Sequence, residues 1–381
     1  MGAALAIRLA FAVVAVVALA VLPTLSVAPN RLLPGRPVAA ADALGIWLFG
    51  AAALVIGAEL LSRSAVDSAR LMAPVLTLAA LLGILALAGR AAEAALAGQS
   101  PSARAALGAG FWLGGAALLA LAWEQARLAI PRSGPFLVSA VLFVGLAALV
   151  TAGFLDHLSL VVEARARSQA LQAAIFEHLV LSAGALALAL VGTLPIAALS
   201  LAAPRPAAAA QTALSVVQII PAVALFALLL PLIAALLVQM PVLRQIGIRA
   251  IGPAPALIGV AAYCALPLLR GLVGGLHSPD PAVLESGRAM GFSRWRLLVA
   301  VRLPLGWPVL ASALRVAAVQ SIGLVTLGGL IGAGGLGALV FEGMAQFATD
   351  LILLGALPII VLALVADAIL GLALPRSGAR R

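Results

Sequence analysis

Three histidines, one cysteine, one tyrosine and thirteen carboxylates are, apart from arginine, the ionisable side chains this chain offers to catalysis or metal binding. Cys264 stands alone in an apolar run, so no disulfide framework or cysteine-based metal site forms within one chain, and a packed thiol is expected. His157, His178 and His277 fall in different segments without an i,i+4 partner, and no nucleophile elbow is present, so neither a catalytic constellation nor a metal site emerges. All 23 basic residues are arginine, and a chain without lysine has no Walker loop with which to hydrolyse ATP. Gly332-Ala333-Gly334-Gly335-Leu336-Gly337 fits G-x-G-x-x-G but follows a long apolar run where a dinucleotide site needs a strand.

What remains is docking chemistry. From Glu285 to Pro304 the chain reads ESGRAMGFSRWRLLVAVRLP, an arginine-rich island between apolar runs. Phe292 and Trp295, at i,i+3, are expected to form an aromatic ridge on a short helix, with Arg288, Arg294 and Arg296 as its polar rim. Glu285 is expected near a helix start, where a carboxylate meets free N–H groups; Gly291 suits a turn between two short helices, and Pro304 the first turn of the next helix. Glu59, Arg315 and Asp367 fall within apolar runs, with Glu342 near the end of one. Arg315 and Asp367 are expected to pair, and Glu59 to snorkel to the surface.

The elements that must position these residues are membrane helices. The chain is 64% hydrophobic and 9% charged, with a mean hydropathy of +1.21, and in lipid only helices or closed barrels satisfy the backbone. Apolar runs predict an all-α polytopic protein of about ten spans: Leu9 to Ala28, Ala43 to Leu61, Leu71 to Ala88, Ala106 to Trp123, Pro135 to Leu155, His178 to Leu201, Thr212 to Leu237, Pro253 to Leu276, Leu305 to Leu330 and Leu351 to Leu374. Pro221 and Pro231 punctuate the seventh, and Gly323, Gly328 and Gly329 the ninth; both are candidates for interruption beside a pathway, or for an ordinary kink. The first run, ending Ser26-Val27-Ala28, reads either as a retained span or as a cleaved signal peptide.

The positive-inside rule favours both termini in the cytoplasm. On that side lie Arg8, Arg63, Arg70, Arg127, Arg132, Arg205, Arg270, Arg288, Arg294, Arg296, Arg302, Arg376, Arg380 and Arg381, more than the outer loops hold at Arg31, Arg36, Arg90, Arg104, Arg165, Arg167, Arg244 and Arg249. The net charge of +10 is scattered over short loops without a continuous basic face, which argues against nucleic acid as a partner. The organisation expected is an N-terminal extension of about five helices over 1–155, an external amphipathic connector over 156–177, a core over 178–375 with a cytoplasmic loop at 277–304, and a cytoplasmic tail at 376–381.

The spacing of Glu285, Gly291 and Leu303-Pro304 resembles the "EAA" loop of permease subunits in bacterial ATP-binding-cassette importers. Gln218-Ile219-Ile220-Pro221-Ala222, resembling a Gln-x-x-Pro-Ser element, together with GRAMGFSRW, LPLGWPVLASALR and IGAGGLG, is similar to the osmoprotectant branch, whose cargoes include glycine betaine, choline and proline. The resemblance covers 178–375 and implies a type I five-helix permease core in the bacterial inner membrane, a second permease subunit in a homo- or heterodimer, a separate ATPase that binds the ATP, a periplasmic or extracellular solute-binding protein outside, and membrane lipid around it. It implies coupling to the ATPase through Glu285, Gly287, Arg288, Ala289, Gly291, Phe292, Trp295, Leu303 and Pro304, and a gate or hinge at Gly332, Gly334, Gly335 and Gly337. Gln218, Pro221, Gln320 and Ser321 are candidates for the translocation path, or for hydrogen bonding between helices. Ser286-Gly287 departs from the family's paired alanines, and Arg302 stands where relatives often carry an acid, which bears on which ATPase surface is matched. An ion-coupled secondary transporter working through Glu59 or Asp367, and a permease for an amino acid or a sulfonate, are the alternatives.

Overall fold

The computed structural model describes residues 2–30, 33–130, 133–245 and 247–372. Arg31, Arg132, Arg376, Arg380 and Arg381, the tail and the end of the last expected span lie outside the described residues. The chain divides into two compact units, Met1–Ala166 and Arg167–Arg381.

The first unit comprises α1 (Gly2–Val21), β1 (Leu25–Ala28), β2 (Arg36–Val38), α2 (Ala40–Leu44), α3 (Trp47–Leu61), α4 (Asp67–Leu96), β3 (Arg104–Leu107), α5 (Ala109–Ala129), α6 (Gly134–Thr151) and α7 (Ser159–Ala166). The first helix stops short of the expected Ala28. Pro23 cannot continue it, and Ser26-Val27-Ala28 is the middle strand of an antiparallel sheet of order β2-β1-β3, with Ser26 opposite Pro37 on one side and Ala106 on the other. Leu25, Ile84, Leu118 and Leu121 are fully buried at the centre of this unit. Glu59 does not snorkel: it is 5% exposed, beside Arg8 and Arg63.

The second unit comprises α8 (Ser168–Leu199), α9 (Pro204–Ile219), α10 (Ala222–Gln239), α11 (Val242–Gln245), α12 (Pro253–His277), α13 (Pro281–Ala289), α14 (Arg294–Leu297), a π-helical turn (Leu298–Arg302), α15 (Leu303–Gly328), a 3-10 turn (Gly329–Ile331), α16 (Gly335–Ala345) and α17 (Thr349–Leu372). The amphipathic stretch over 156–177 is shared between α7 and the first turns of α8. Arg167 leaves helical geometry between them, and its guanidinium pairs with Glu342 at 2.9 Å. The seventh expected span is two helices, because Pro221 lacks an N–H and forces Ile220 into extended backbone. The ninth is continuous through Gly323, since glycine weakens a helix without removing its hydrogen bonds.

Among the described residues seven helices are long and apolar enough to cross a membrane, α1, α4, α8, α10, α12, the α14–α15 run and α17, while α3, the Phe136–Thr151 part of α6 and α16 are shorter apolar segments. Helices α12 and α15 form the spine of the second unit. At their lower crossing Gly275 and Gly306 meet backbone to backbone, so close that a Cβ on Gly306 would collide with the Gly275 carbonyl. Higher up, Val260, Cys264 and Leu268 pack against Ala317 and Val325. Arg315 and Asp367 pair in a bidentate fork between α15 and α17, each a little over a third exposed.

Candidate functional site

The α12–α15 spine carries a small protruding tip formed by residues 277–304. It begins where Asp280 caps α13, its carboxylate accepting from Ala282 N at 2.8 Å, with Pro281 at the first helical position. The true cap is therefore Asp280, and Glu285, expected near the helix start, lies mid-helix and solvent-exposed. Gly291 ends α13 in left-handed backbone (φ 79°), with Phe292 N donating to Gly287 O at 3.0 Å and Gly291 N to Arg288 O at 2.9 Å, the reciprocal closure that glycine at this position permits. Ser293 then caps α14, accepting from Arg296 N at 3.2 Å.

The two short helices meet at a glycine. Gly287 is buried, and a Cβ there would fall 2.7 Å from the Leu297 side chain, so α13 lies directly over α14 at this point, and Leu284 and Leu297 are both buried. The expected aromatic ridge is not formed. Phe292 sits in the turn before α14, half-buried, with the Arg296 guanidinium stacked 4.3 Å over its ring, so of the two aromatics Trp295 (72% exposed) stands free, and Met290 is likewise exposed (68%). Arg288, Arg294, Arg296 and Ala289 are exposed around them. The tip thus offers one indole, one thioether and three guanidiniums on a capped two-helix base.

Past the tip the helix does not restart at Pro304. It runs from Arg294 into α15 without a gap, and the π turn over Leu298–Arg302 absorbs the proline: widening the helix there accommodates a ring that would otherwise strike the carbonyl four residues back. Arg302, expected to face a partner, is half-buried and donates instead to Leu276 O, closing the C-terminal end of α12. Leu303 and Pro304 are the first two residues of α15.

The other predicted residues form two separate groups. At the α9–α10 break Gln218 Nε2 donates to Tyr263 O at 3.0 Å and the Tyr263 hydroxyl donates to Ile220 O, so α12 pins the interruption at Pro221 from one side. Gln320 is half-buried and Ser321 buried on α15, where the Ser321 hydroxyl donates to Ala318 O of its own helix at 2.8 Å. At the glycine-rich segment, Gly332, Gly334 and Gly335 all adopt positive φ, and Gly337 lies against the Thr326 carbonyl where no Cβ fits. This reverses the chain from the 3-10 turn into α16, whose first N–H, that of Gly335, donates to Glu177 Oε2 at 2.9 Å. The neighbouring His178 is fully buried, its Nε2 donating to Ile322 O at 3.0 Å.

Tyr263, Glu177 and the Arg167–Glu342 pair escaped the sequence reading. The chain's one tyrosine, in the middle of an apolar span and 45 residues from Gln218, was the available signal for the first.

A family profile described as "Binding-protein-dependent transport system inner membrane component" matches residues 194–378, and one described as "ABC transporter permease YehY, N-terminal domain" matches residues 4–161. The carnitine transport permease protein OpuCB of Listeria monocytogenes is 34% identical over 196 residues, spanning 51% of this chain and 83% of that protein. The osmoprotectant import permease protein OsmW of Salmonella typhimurium is 34% identical over 192 residues, 50% of this chain and 84% of the relative. The glycine betaine/carnitine/choline permease OpuCB of Bacillus subtilis is 29% identical over 194 residues, 51% and 82% of the two chains.

Proposed function

The chain belongs to the family of binding-protein-dependent inner-membrane permeases, the membrane subunits of ATP-driven importers, and from this premise we propose that it carries a small quaternary ammonium osmolyte, such as glycine betaine, carnitine or choline, into a bacterial cell. Two relatives named for those solutes and one named for osmoprotectant import support the cargo. In this reading a separate ATPase binds and hydrolyses the ATP, a solute-binding protein delivers the cargo from outside, and a second permease subunit completes the channel. Both termini and the 277–304 tip face the cytoplasm, in keeping with the arginine distribution.

The observation that carries the coupling role is the tip itself: Trp295 and Met290 exposed on a base fixed by Gly287, Leu284 and Leu297, with Arg288, Arg294 and Arg296 around them. A large aromatic and a flexible thioether ringed by arginine are the composition of an interface centre, and they suit an apolar pocket with an acidic rim on the ATPase. Glu285 and Ala289 lie on the exposed side of α13, Phe292 orders Arg296, and Leu303 and Pro304 join the tip to α15. Gln218, Pro221, Gln320 and Ser321 line the path in this reading, and Gly332, Gly334, Gly335 and Gly337 serve as the outer hinge. An ion-coupled mechanism finds less support, since Glu59 and Asp367 are both ion-paired.

Purification of the tagged chain with its native partners, beside a Gly291→Asp version, tests this. Space around Gly291 is open, so the substitution acts on the left-handed turn and leaves insertion intact. An ATPase subunit captured by wild type and lost from the variant, with uptake of labelled glycine betaine lost in parallel, is the expected result. Equal capture and equal uptake by both at normal abundance would overturn the coupling role.

A further inference from the structure

In the first unit, α1 and α3 enclose a groove of about 340 Å³ that runs along their exposed apolar faces. Its walls include Val13 and Val17 on α1 and Ile56 and Leu60 on α3, all more than half exposed. One end is different in kind. There Glu59 and Arg63 close the groove, and Arg8 stands behind Glu59.

This polar end is charge-paired but incompletely hydrogen-bonded. Arg8 is 7% exposed and Glu59 5%, yet their nearest approach is 3.7 Å, and among the described residues Arg8 Nε and Glu59 Oε2 have no hydrogen-bond partner. Arg8 Nη1 donates to Ser62 Oγ at 2.7 Å. Arg63 reaches Glu59 Oε1 only at 3.4 Å and leaves 43% of its side chain open at the groove mouth, so that among the described residues most of its five donors are unused. Two guanidiniums share one carboxylate, leaving one excess positive charge. Nearby Arg70 adds nothing to it, since it donates to Ser64 O at 2.6 Å and faces Asp67 at 3.7 Å. Buried polar groups left half satisfied are costly, and a ligand that brings both an acceptor and a donor would satisfy Arg63 and Glu59 together.

We propose that the α1–α3 groove binds one anionic glycerophospholipid: an acyl chain lies along Val13, Val17, Ile56 and Leu60, the phosphodiester accepts from Arg63, and a headgroup hydroxyl donates towards Glu59. The excess positive charge selects an anionic headgroup, because a zwitterionic lipid brings its own ammonium to an end already rich in cations. The apolar walls select a lipid over a free anion.

Native mass spectrometry of the full chain, extracted from membranes reconstituted with equal phosphatidylglycerol and phosphatidylcholine, reads this directly. Wild type is expected to retain one phosphatidylglycerol in about tenfold preference over phosphatidylcholine, and Arg63→Gln, at an exposed position, to lose that preference while folding normally. Val17→Trp, which fills the groove, is expected to abolish retention with Arg63 in place; if that variant fails to fold, Arg63→Gln decides alone. Equal retention of the two lipids by wild type, retention unchanged in Arg63→Gln, or displacement by millimolar inorganic phosphate would overturn the proposal, the last by revealing a site for small anions.

Discussion

At the scale of single residues the two aromatics of the tip separate cleanly. Trp295 touches little of its own chain, so Trp295→Ala is expected to leave thermal stability unchanged and to weaken ATPase binding by about 2 kcal/mol or more, roughly thirtyfold, in a titration on nanodisc-embedded chain. Phe292→Ala should do the opposite in kind. Removing the ring beneath Arg296 loosens the turn, and hydrogen exchange at 290–297 is expected to rise before any change in the indole's own affinity is measurable. In the membrane, Asp367→Asn leaves the Arg315 guanidinium without its counter-charge and is expected to lower the midpoint of thermal unfolding in detergent; an unchanged midpoint would remove the structural role of that fork.

At the scale of elements, the α9–α10 break and the α12–α15 crossing make opposite predictions. Pro221→Ala restores an N–H at an interruption that α12 already holds through Tyr263, so the variant is expected to fold with equal or greater stability and to slow uptake in proteoliposomes. Gly306→Val forces a branched side chain into the Gly275 backbone and is expected to cost about 1–3 kcal/mol of stability, read as a lowered unfolding midpoint. Much at this scale was legible in the sequence, because apolar runs of lipid-spanning length leave the backbone little choice but helix, and because Pro221 and Gly291 act locally. What was not legible depended on distance along the chain or on one residue of register. Phe292 and Trp295 have helical spacing, but the cap at Ser293 falls between them and turns one ring inward. Arg302 was open to reading as a partner contact because its acceptor, Leu276 O, belongs to another helix 26 residues earlier. Glu59 was expected to reach for water, and only folding brings Arg8 of α1 beside it.

At the scale of the whole molecule, the division at Ala166 matches the boundary between two family profiles, one ending at residue 161 and the other beginning at 194. Each unit has its own buried centre, so residues 1–166 and 167–381 produced as separate chains are each expected to insert and resist protease, and the second alone to retain the ATPase in a pull-down. The π turn at Leu298–Arg302 lies between the tip and the long apolar run of α15. A π turn is a helix carrying one residue too many, so side chains above and below it are offset by about 100° relative to an unbroken α-helix. Sliding that surplus residue along the helix would swivel the tip about the α15 axis while only a bond or so changes partner at each step. The joint is in this sense a screw thread, whose geometry ties any shift of the surplus residue to a rotation of the tip.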